Sequence, residues 1–144
     1  MGLLRITRTP LVTVSGQASV MDAVLTMHDE HIGAVAVVDN DQLAGIFSER
    51  DLMNRVVLEG RDPHNTRVGD VMTSPVITIQ RCLTADDALK LMDEKHIRHL
   101  PVINTDGKLA GMLSVRNLLH EKVQELTDQL DSLEAYFTAD GAGG

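Results

Sequence analysis

Twice along this chain a glycine is followed by two apolar residues and a serine, then by an acid or an amide three positions on. The two copies are Gly45-Ile46-Phe47-Ser48 with Asp51, and Gly111-Met112-Leu113-Ser114 with Asn117. These residue types suit binding more than bond-breaking. A glycine lets backbone come close to a ligand, and the unpaired amides of a helix start, helped by a serine hydroxyl, favour an anion. An ionised carboxylate such as Asp51 only accepts hydrogen bonds and has two oxygens with which to take the vicinal hydroxyls of a ribose. Arg50 and Arg116 stand beside the two motifs, where a guanidinium reaches a phosphate. The same spacing also describes plain helix capping, with Ser48 or Ser114 as N-cap and the acid or amide at the third helical position. One such motif is satisfied by capping; two in register with a longer repeat point to paired ligand sites.

The longer repeat is clear. Thr9-Pro10-Leu11-Val12-Thr13-Val14 returns as Ser74-Pro75-Val76-Ile77-Thr78-Ile79, and His31-Ile32 returns as His96-Ile97, at a spacing of about 65 residues. Past Asn40 the register slips by one, so that Leu43 to Asp51 aligns with Leu109 to Asn117. Each copy reads as strand, helix, strand, strand, helix. Leu11 to Val14 is short and β-branched, and Ser19 with Asp22, like Thr84 with Asp87, is a capping-box start for a helix ending near His31 or His96. Ala34 to Val38 and Leu43 to Phe47 are apolar runs around the polar turn Asp39-Asn40-Asp41, the pattern of a hairpin buried on both faces. Ser48 opens a helix through about Val57, with Leu52, Val56 and Val57 on one side, and Ser114 opens its counterpart through Leu119. The Gly- and Pro-bearing stretch Glu59 to Asn65 is the linker. This divides the chain into a first repeat with linker (1–64), a second repeat (65–122), and a C-terminal amphipathic helix with a fraying tail (123–144). In that helix Val123, Leu126, Leu130, Leu133 and Phe137 recur at steps of three and four, a narrow apolar stripe that either packs on a second chain or docks back on its own domain.

Composition narrows the partners. The chain has 144 residues, 43% hydrophobic and 24% charged, with a net charge of -8. That is ordinary for a folded domain and provides no basic field for nucleic acid. A single cysteine, Cys82, excludes an internal disulfide and fits a reducing compartment; no membrane span or signal segment is read, so the expected setting is the cytoplasm. His28 with His31, and His96 with His99, have a metal-compatible spacing but no acidic or cysteine partner in register, and no metal is expected. Met27, Met53, Met92 and Met112 read as core. Ser48 has no positioned base, and no catalytic constellation is seen.

The stretch His96-Ile97-Arg98-His99-Leu100-Pro101-Val102 followed by Gly107 to Ser114, together with Gly45 to Asp51, resembles a tandem pair of cystathionine-β-synthase (CBS) domains, a Bateman module. The likeness covers roughly Thr9 to Val123. It implies an α/β (α+β) fold of two packed βαββα units, binding an adenosine-containing ligand such as AMP, ADP, ATP or S-adenosylmethionine between them, without catalysis. Carried over by position, Asp51 holds ribose and Ser48 sits beside ribose or phosphate, with Ser114 and Asn117 as their counterparts. Leu11 and Val76 contact adenine, Ile46 and Met112 form the apolar wall, Arg98 and His99 reach phosphate alongside Arg50 and Arg116, and Pro101 of the same stretch belongs to the nucleotide site. The first copy has Gly33 and Ala34 where the second has Arg98 and His99, so phosphate-binding charge is expected mainly from the second copy. Asn117 replaces the family's Asp, which ranks the Asp51 site first. The resemblance also implies a homodimer and an unidentified protein target. The rival expectation is a ligand-independent dimerisation scaffold.

Overall fold

The computed structural model describes Thr7, residues 11–80 and residues 84–143, with side chains to Thr138; Thr9, Pro10 and Cys82 lie outside the described residues. The elements run β1 (Thr13–Val14), α1 (Val20–Glu30), β2 (Ala34–Asp39), β3 (Gln42–Ser48), α2 (Glu49–Asp51), α3 (Val68–Val71), β4 (Ile79–Gln80), α4 (Ala85–Lys95), β5 (His99–Ile103), β6 (Leu109–Ser114) and α5 (Val115–Gly143). They build two mixed sheets of the same design, β1-β2-β3 and β4-β5-β6, each with a parallel first pair and an antiparallel hairpin. Ala34 pairs with Ser48 as His99 pairs with Ser114, which places Ala34 and His99 at equivalent positions.

The capping signals act as the residue types require. Ser19 and Thr84 accept from the amides of Asp22 and Asp87 at 3.1 Å each, and Asp87 answers with a carboxylate on the Thr84 amide. Both helices end in a left-handed histidine, His31 and His96, whose backbone N–H rather than its imidazole bonds the last carbonyls. The slip in the repeat lies in the hairpin loops: Asn40 and Asp41 make a two-residue turn at positive φ, whereas the second hairpin turns over a longer loop carrying Gly107 at φ 81.

Four elements depart from the pattern read in the sequence. Only Thr13–Val14 of the apolar run from Leu11 is paired strand. The helix after Ser48 is α-helical for one turn and then π-helical over Leu52–Val57, with Leu58 N–H on Met53 O at 3.0 Å. The wider turn buries Val56 completely and leaves Val57 and Met53 exposed, so Met53 is not core, and Met112 is only half-buried. α3, beyond the linker, sends Val68 and Val71 into the first unit's core with Val20, Val35, Phe47 and Val56. Finally, α5 is one continuous helix from Val115 to Gly143, because no glycine or proline interrupts it between Ser114 and Asp140; the fraying tail is helical to Gly143. The second unit's own core is Ile79, Ala88, Met92, Leu100, Val102, Leu113 and Leu118.

The units hold one another through the segments that precede their first strands. Thr73, ahead of β4, bridges β3 of the first unit by two hydrogen bonds to Ile46 (3.1 and 2.8 Å) and crosses directly over Gly45. In the second unit Gly111 makes room for the side chain of Thr7, which lies ahead of β1. A Cβ on Gly45 would lie 2.6 Å from Met72 Sδ and 2.7 Å from the Thr73 carbonyl, and one on Gly111 would lie 2.7 Å from Thr7. The Thr73 carbonyl is pinned and cannot retreat. Gly45→Ala is therefore expected to cost about 1–3 kcal/mol through overpacking, seen as a melting point lower by several degrees in a thermal denaturation; an unchanged melting point would show that the crossing segment is free to move.

Candidate functional site

The crossing segments complete two clefts, each lined by residues of both units. In the first, of about 300 Å³, Ile46, Ser48, Glu49, Arg50 and Asp51 face Thr73 and the second unit's Ile97, Arg98 and His99. In the second, of about 440 Å³, Met112, Ser114, Arg116 and Asn117 face Leu11, Val12, His31, Ile32, Gly33 and Ala34. His99 and Gly33 line both. The motifs thus come together with the opposite unit, and eleven of the thirteen residues singled out in the sequence line a cleft. Val76 and Pro101 do not. Pro101 is a buried strand residue paired with Met112, and Val76 lies beyond the stretch that crosses Gly45. Thr73, Glu49, His31, Ile32 and Ile97 line clefts without having been singled out. His31 carried a detectable signal, since it recurs as His96 in the repeat; Thr73, whose counterpart is Arg8, did not.

The two motifs differ in how much of their chemistry is already used. Ser48 and Asp51 form a full capping box: the Asp51 amide donates to Ser48 Oγ (3.2 Å), while Asp51 Oδ2 accepts from the Ser48 amide (3.0 Å) and hydroxyl (3.2 Å). Asp51 Oδ1 accepts from the Thr73 hydroxyl (2.9 Å), and Arg55 Nε stands 3.8 Å away. Arg55 in turn donates to the Met72 carbonyl at 2.7 Å. Asp51 is only 7% exposed: besides lining the cleft it is a buried tie between cap and crossing segment. Asn117 caps through its amide alone, on Ser114 Oγ at 3.1 Å, and its side chain has no hydrogen-bond partner among the described residues.

Charge separates the clefts further. The first has Arg50 and Arg98 but also Glu49 and Asp51; the second has Arg116, His31 and His99 and no carboxylate among its lining residues. It also opens at the N-terminus of α5, whose dipole favours an anion although the Val115 amide is bonded to the Arg98 carbonyl (2.8 Å) and the Asn117 amide to Ser114 Oγ. Burial holds the His99 imidazole below the usual histidine range, and Arg98 beside it acts in the same direction. Among the described residues no group of three or more histidines, cysteines, aspartates or glutamates could hold a metal, and no helix is long and apolar enough to cross a membrane.

The model of the CBS domain matches residues 4–58 and 68–123, two copies in tandem that follow the two units. The chain belongs to the CBS-domain family. Among its relatives, the CBS domain-containing protein CBSX3, mitochondrial, of Arabidopsis thaliana is 37% identical over 123 residues, 82% of this chain. The uncharacterized protein MK0525 of Methanopyrus kandleri is 34% identical over 115 residues, 79% of this chain. The chain spans 59% of the length of each of these two relatives. In structure, a putative signal-transduction protein with CBS domains from Burkholderia ambifaria superposes with a TM-score of 0.80 at 35% identity, covering 86% of this chain and 95% of that one. CBSX2, solved in complex with AMP, gives 0.72 at 26% identity, covering 85% and 96%. CBS pairs of this kind are generally regulatory modules.

Two outcomes test the local chemistry. Asp51→Ala removes a buried acceptor of three hydrogen bonds and the ion-pair partner of Arg55, and is expected to destabilise the fold by about 1–3 kcal/mol. Asn117→Ala, which removes a side chain without partners, should stay within about 0.5 kcal/mol in chemical denaturation. For His99 the folded-state pKa is lowered, so the unfolded chain binds the proton more readily. Its contribution to stability is complete above the unfolded value of 6.5 and is lost as pH falls from there through the folded value. His99→Gln should flatten that part of the denaturation free-energy profile relative to the parent; an identical slope in both proteins would sink the assignment.

Proposed function

We propose that this CBS pair is a regulatory sensor that binds an adenosine-containing ligand, AMP, ADP, ATP or S-adenosylmethionine, and catalyses no reaction itself. The observation that carries this is the second cleft. A carboxylate-free set of Arg116, His31 and His99 meets the N-terminus of α5, beside the Ser114 hydroxyl, an unengaged Asn117 side-chain carboxamide and an apolar wall of Leu11, Val12, Ile32 and Met112. The wall suits adenine, the Asn117 carboxamide a ribose hydroxyl, and the Arg116 guanidinium, with the imidazoles as further hydrogen-bonding groups, a phosphate. That CBSX2 is solved with AMP supports the ligand class.

The same geometry supports an order of filling opposite to the one that charge at Asp51 suggests. Asp51 already accepts from Thr73 and Ser48 and has little acceptor capacity left for a ribose, and the phosphate of a ligand there meets Glu49 as well as Arg50 and Arg98. The Asn117 cleft has no such limit. Ser48, Ile46 and Arg98 then serve a second, weaker site. Pro101 supports the Met112 wall from the neighbouring strand, and Val76 and Leu11 flank the crossing segments. The single cysteine fits a reducing compartment such as the cytoplasm. Signalling follows by linkage: a ligand gripping both units favours the arrangement that closes the cleft and changes a partner's affinity by its own difference in affinity between the two arrangements.

Calorimetric titration with AMP, ADP, ATP and S-adenosylmethionine tests this. At least one should bind saturably and, at about 100 times its dissociation constant, add roughly 2.7 kcal/mol to the native state. Arg116→Gln should weaken that binding about tenfold or more, and Arg50→Gln less. Heat-silent titrations with an unmoved melting point for all four would favour the ligand-independent scaffold, for which the bare apolar stripe of α5 is the supporting observation.

A further inference from the structure

The body of the protein takes up only one side of α5. Leu118 is fully buried against the second unit's core, and Lys122 Nζ lies 3.0 Å from Asp86 Oδ1 on α4. The apolar stripe is turned away from that contact. Leu119, Val123, Leu126, Leu130, Leu133 and Phe137 are 51, 62, 52, 64, 55 and 63% exposed. They follow one another at alternating steps of four and three, so they keep to the a and d positions of a heptad over nearly three repeats. A contiguous apolar face of this kind on a helix that already has its intramolecular contact marks an interaction surface.

We propose that this face pairs antiparallel with the same helix of a second copy of the chain, about a two-fold axis at Asp128. The register argues for it. Around position 128 the six apolar residues are palindromic, so antiparallel pairing stacks Leu119 on Phe137, Val123 on Leu133 and Leu126 on Leu130, and then repeats these layers in reverse with no apolar residue left unmatched. The flanking positions agree: His120 meets Glu134 of the second copy, Lys122 meets Tyr136, and Thr127 and Gln129 each meet their own counterpart.

Charge selects the orientation. Lys122 is the last cation of the chain, and Asp128, Asp131 and Glu134 follow it. Parallel pairing lays the two acidic halves side by side, whereas antiparallel pairing sets each against the half where Arg116 and Lys122 offset Glu121 and Glu125. Antiparallel pairing also seats the two bodies at opposite ends, each roughly 20 Å along the helix from the axis.

The experiment is sedimentation of the full chain at about 10 μM with disulfide trapping, in a Cys82→Ser background. The expected result is a dimer that Leu130→Asp weakens at least tenfold while the monomer's melting point holds. Thr127→Cys, at the axis, should cross-link two chains, and Leu133→Cys, whose copies lie far apart in the antiparallel pair, should not. The cross-link is read in an intact apolar stripe, so it decides the matter even if Leu130→Asp folds poorly. A monomeric parent overturns the proposal and assigns the stripe to a different occupant. A dimer indifferent to Leu130→Asp, with Thr127→Cys uncross-linked, places the interface elsewhere, and cross-linking through Leu133→Cys instead of Thr127→Cys overturns the antiparallel orientation.

Discussion

The crossing of Thr73 over Gly45, matched by the Thr7 side chain against Gly111, is the contact on which the rest of the molecule depends. Each unit alone is a three-stranded sheet with short helices, too small to bury a full core. Its missing cover comes from the chain leading into the other unit, and that chain can lie close only where a strand has no Cβ. The exchange also decides where ligands can go. Because the crossing segments lie against the ends of β3 and β6, the serine-started helices of each unit face residues of the other, and both clefts form at the junction. In the first cleft the crossing is tied to the cap itself, since Asp51 accepts from both Ser48 and Thr73.

That tie explains why two nearly identical motifs have different chemistry. A carboxylate has enough acceptor sites to close a capping box and hold a threonine from the crossing segment, and at Asp51 it does both. Asn117 keeps only the backbone half of the cap. The asymmetry extends to charge: Glu49 and Asp51 offset the arginines of the first cleft, while the second has Arg116 and no carboxylate among its lining residues. The structural burden rests on one motif, which leaves the other's polar groups uncommitted.

Much of this was legible in the residues. The twofold repeat, the capping boxes and the hairpins follow from spacing, because local hydrogen bonds and sheet register enforce them; the grouping of the Ser48 and Ser114 motifs with Leu11, Arg98 and His99 came from the family resemblance. What escaped was non-local. Whether Asp51 is an open ligand or a buried tie depends on Thr73, more than twenty residues away in sequence and adjacent only after the units dock. The π-helical winding that exposes Met53 and Val57 leaves no mark in the apolar pattern, which suits an α-helix equally well. α3 joins the first unit's core from beyond the linker, so a boundary placed by composition says nothing of which core Val68 and Val71 complete. The join between the second unit and the C-terminal stripe was read as a break because the stripe's polarity changes there, yet without glycine or proline the backbone has no reason to stop.

The continuity of α5 ties the two ends of the molecule's surface chemistry together. Its first residues, Arg116 and Asn117, line the larger cleft, and its distal turns carry the exposed apolar stripe, so one rigid element spans both. His99 and Gly33, which line both clefts, place the smaller one in contact with the same junction. A ligand that changes how the units close on each other must therefore act where α5 begins, and α5 can respond only by moving with the second unit, to which Leu118 and the Lys122–Asp86 pair fasten it. Any coupling between cleft and stripe is then a rigid-body rotation of the second unit against the first, limited in size by how far the glycine crossings allow the units to turn.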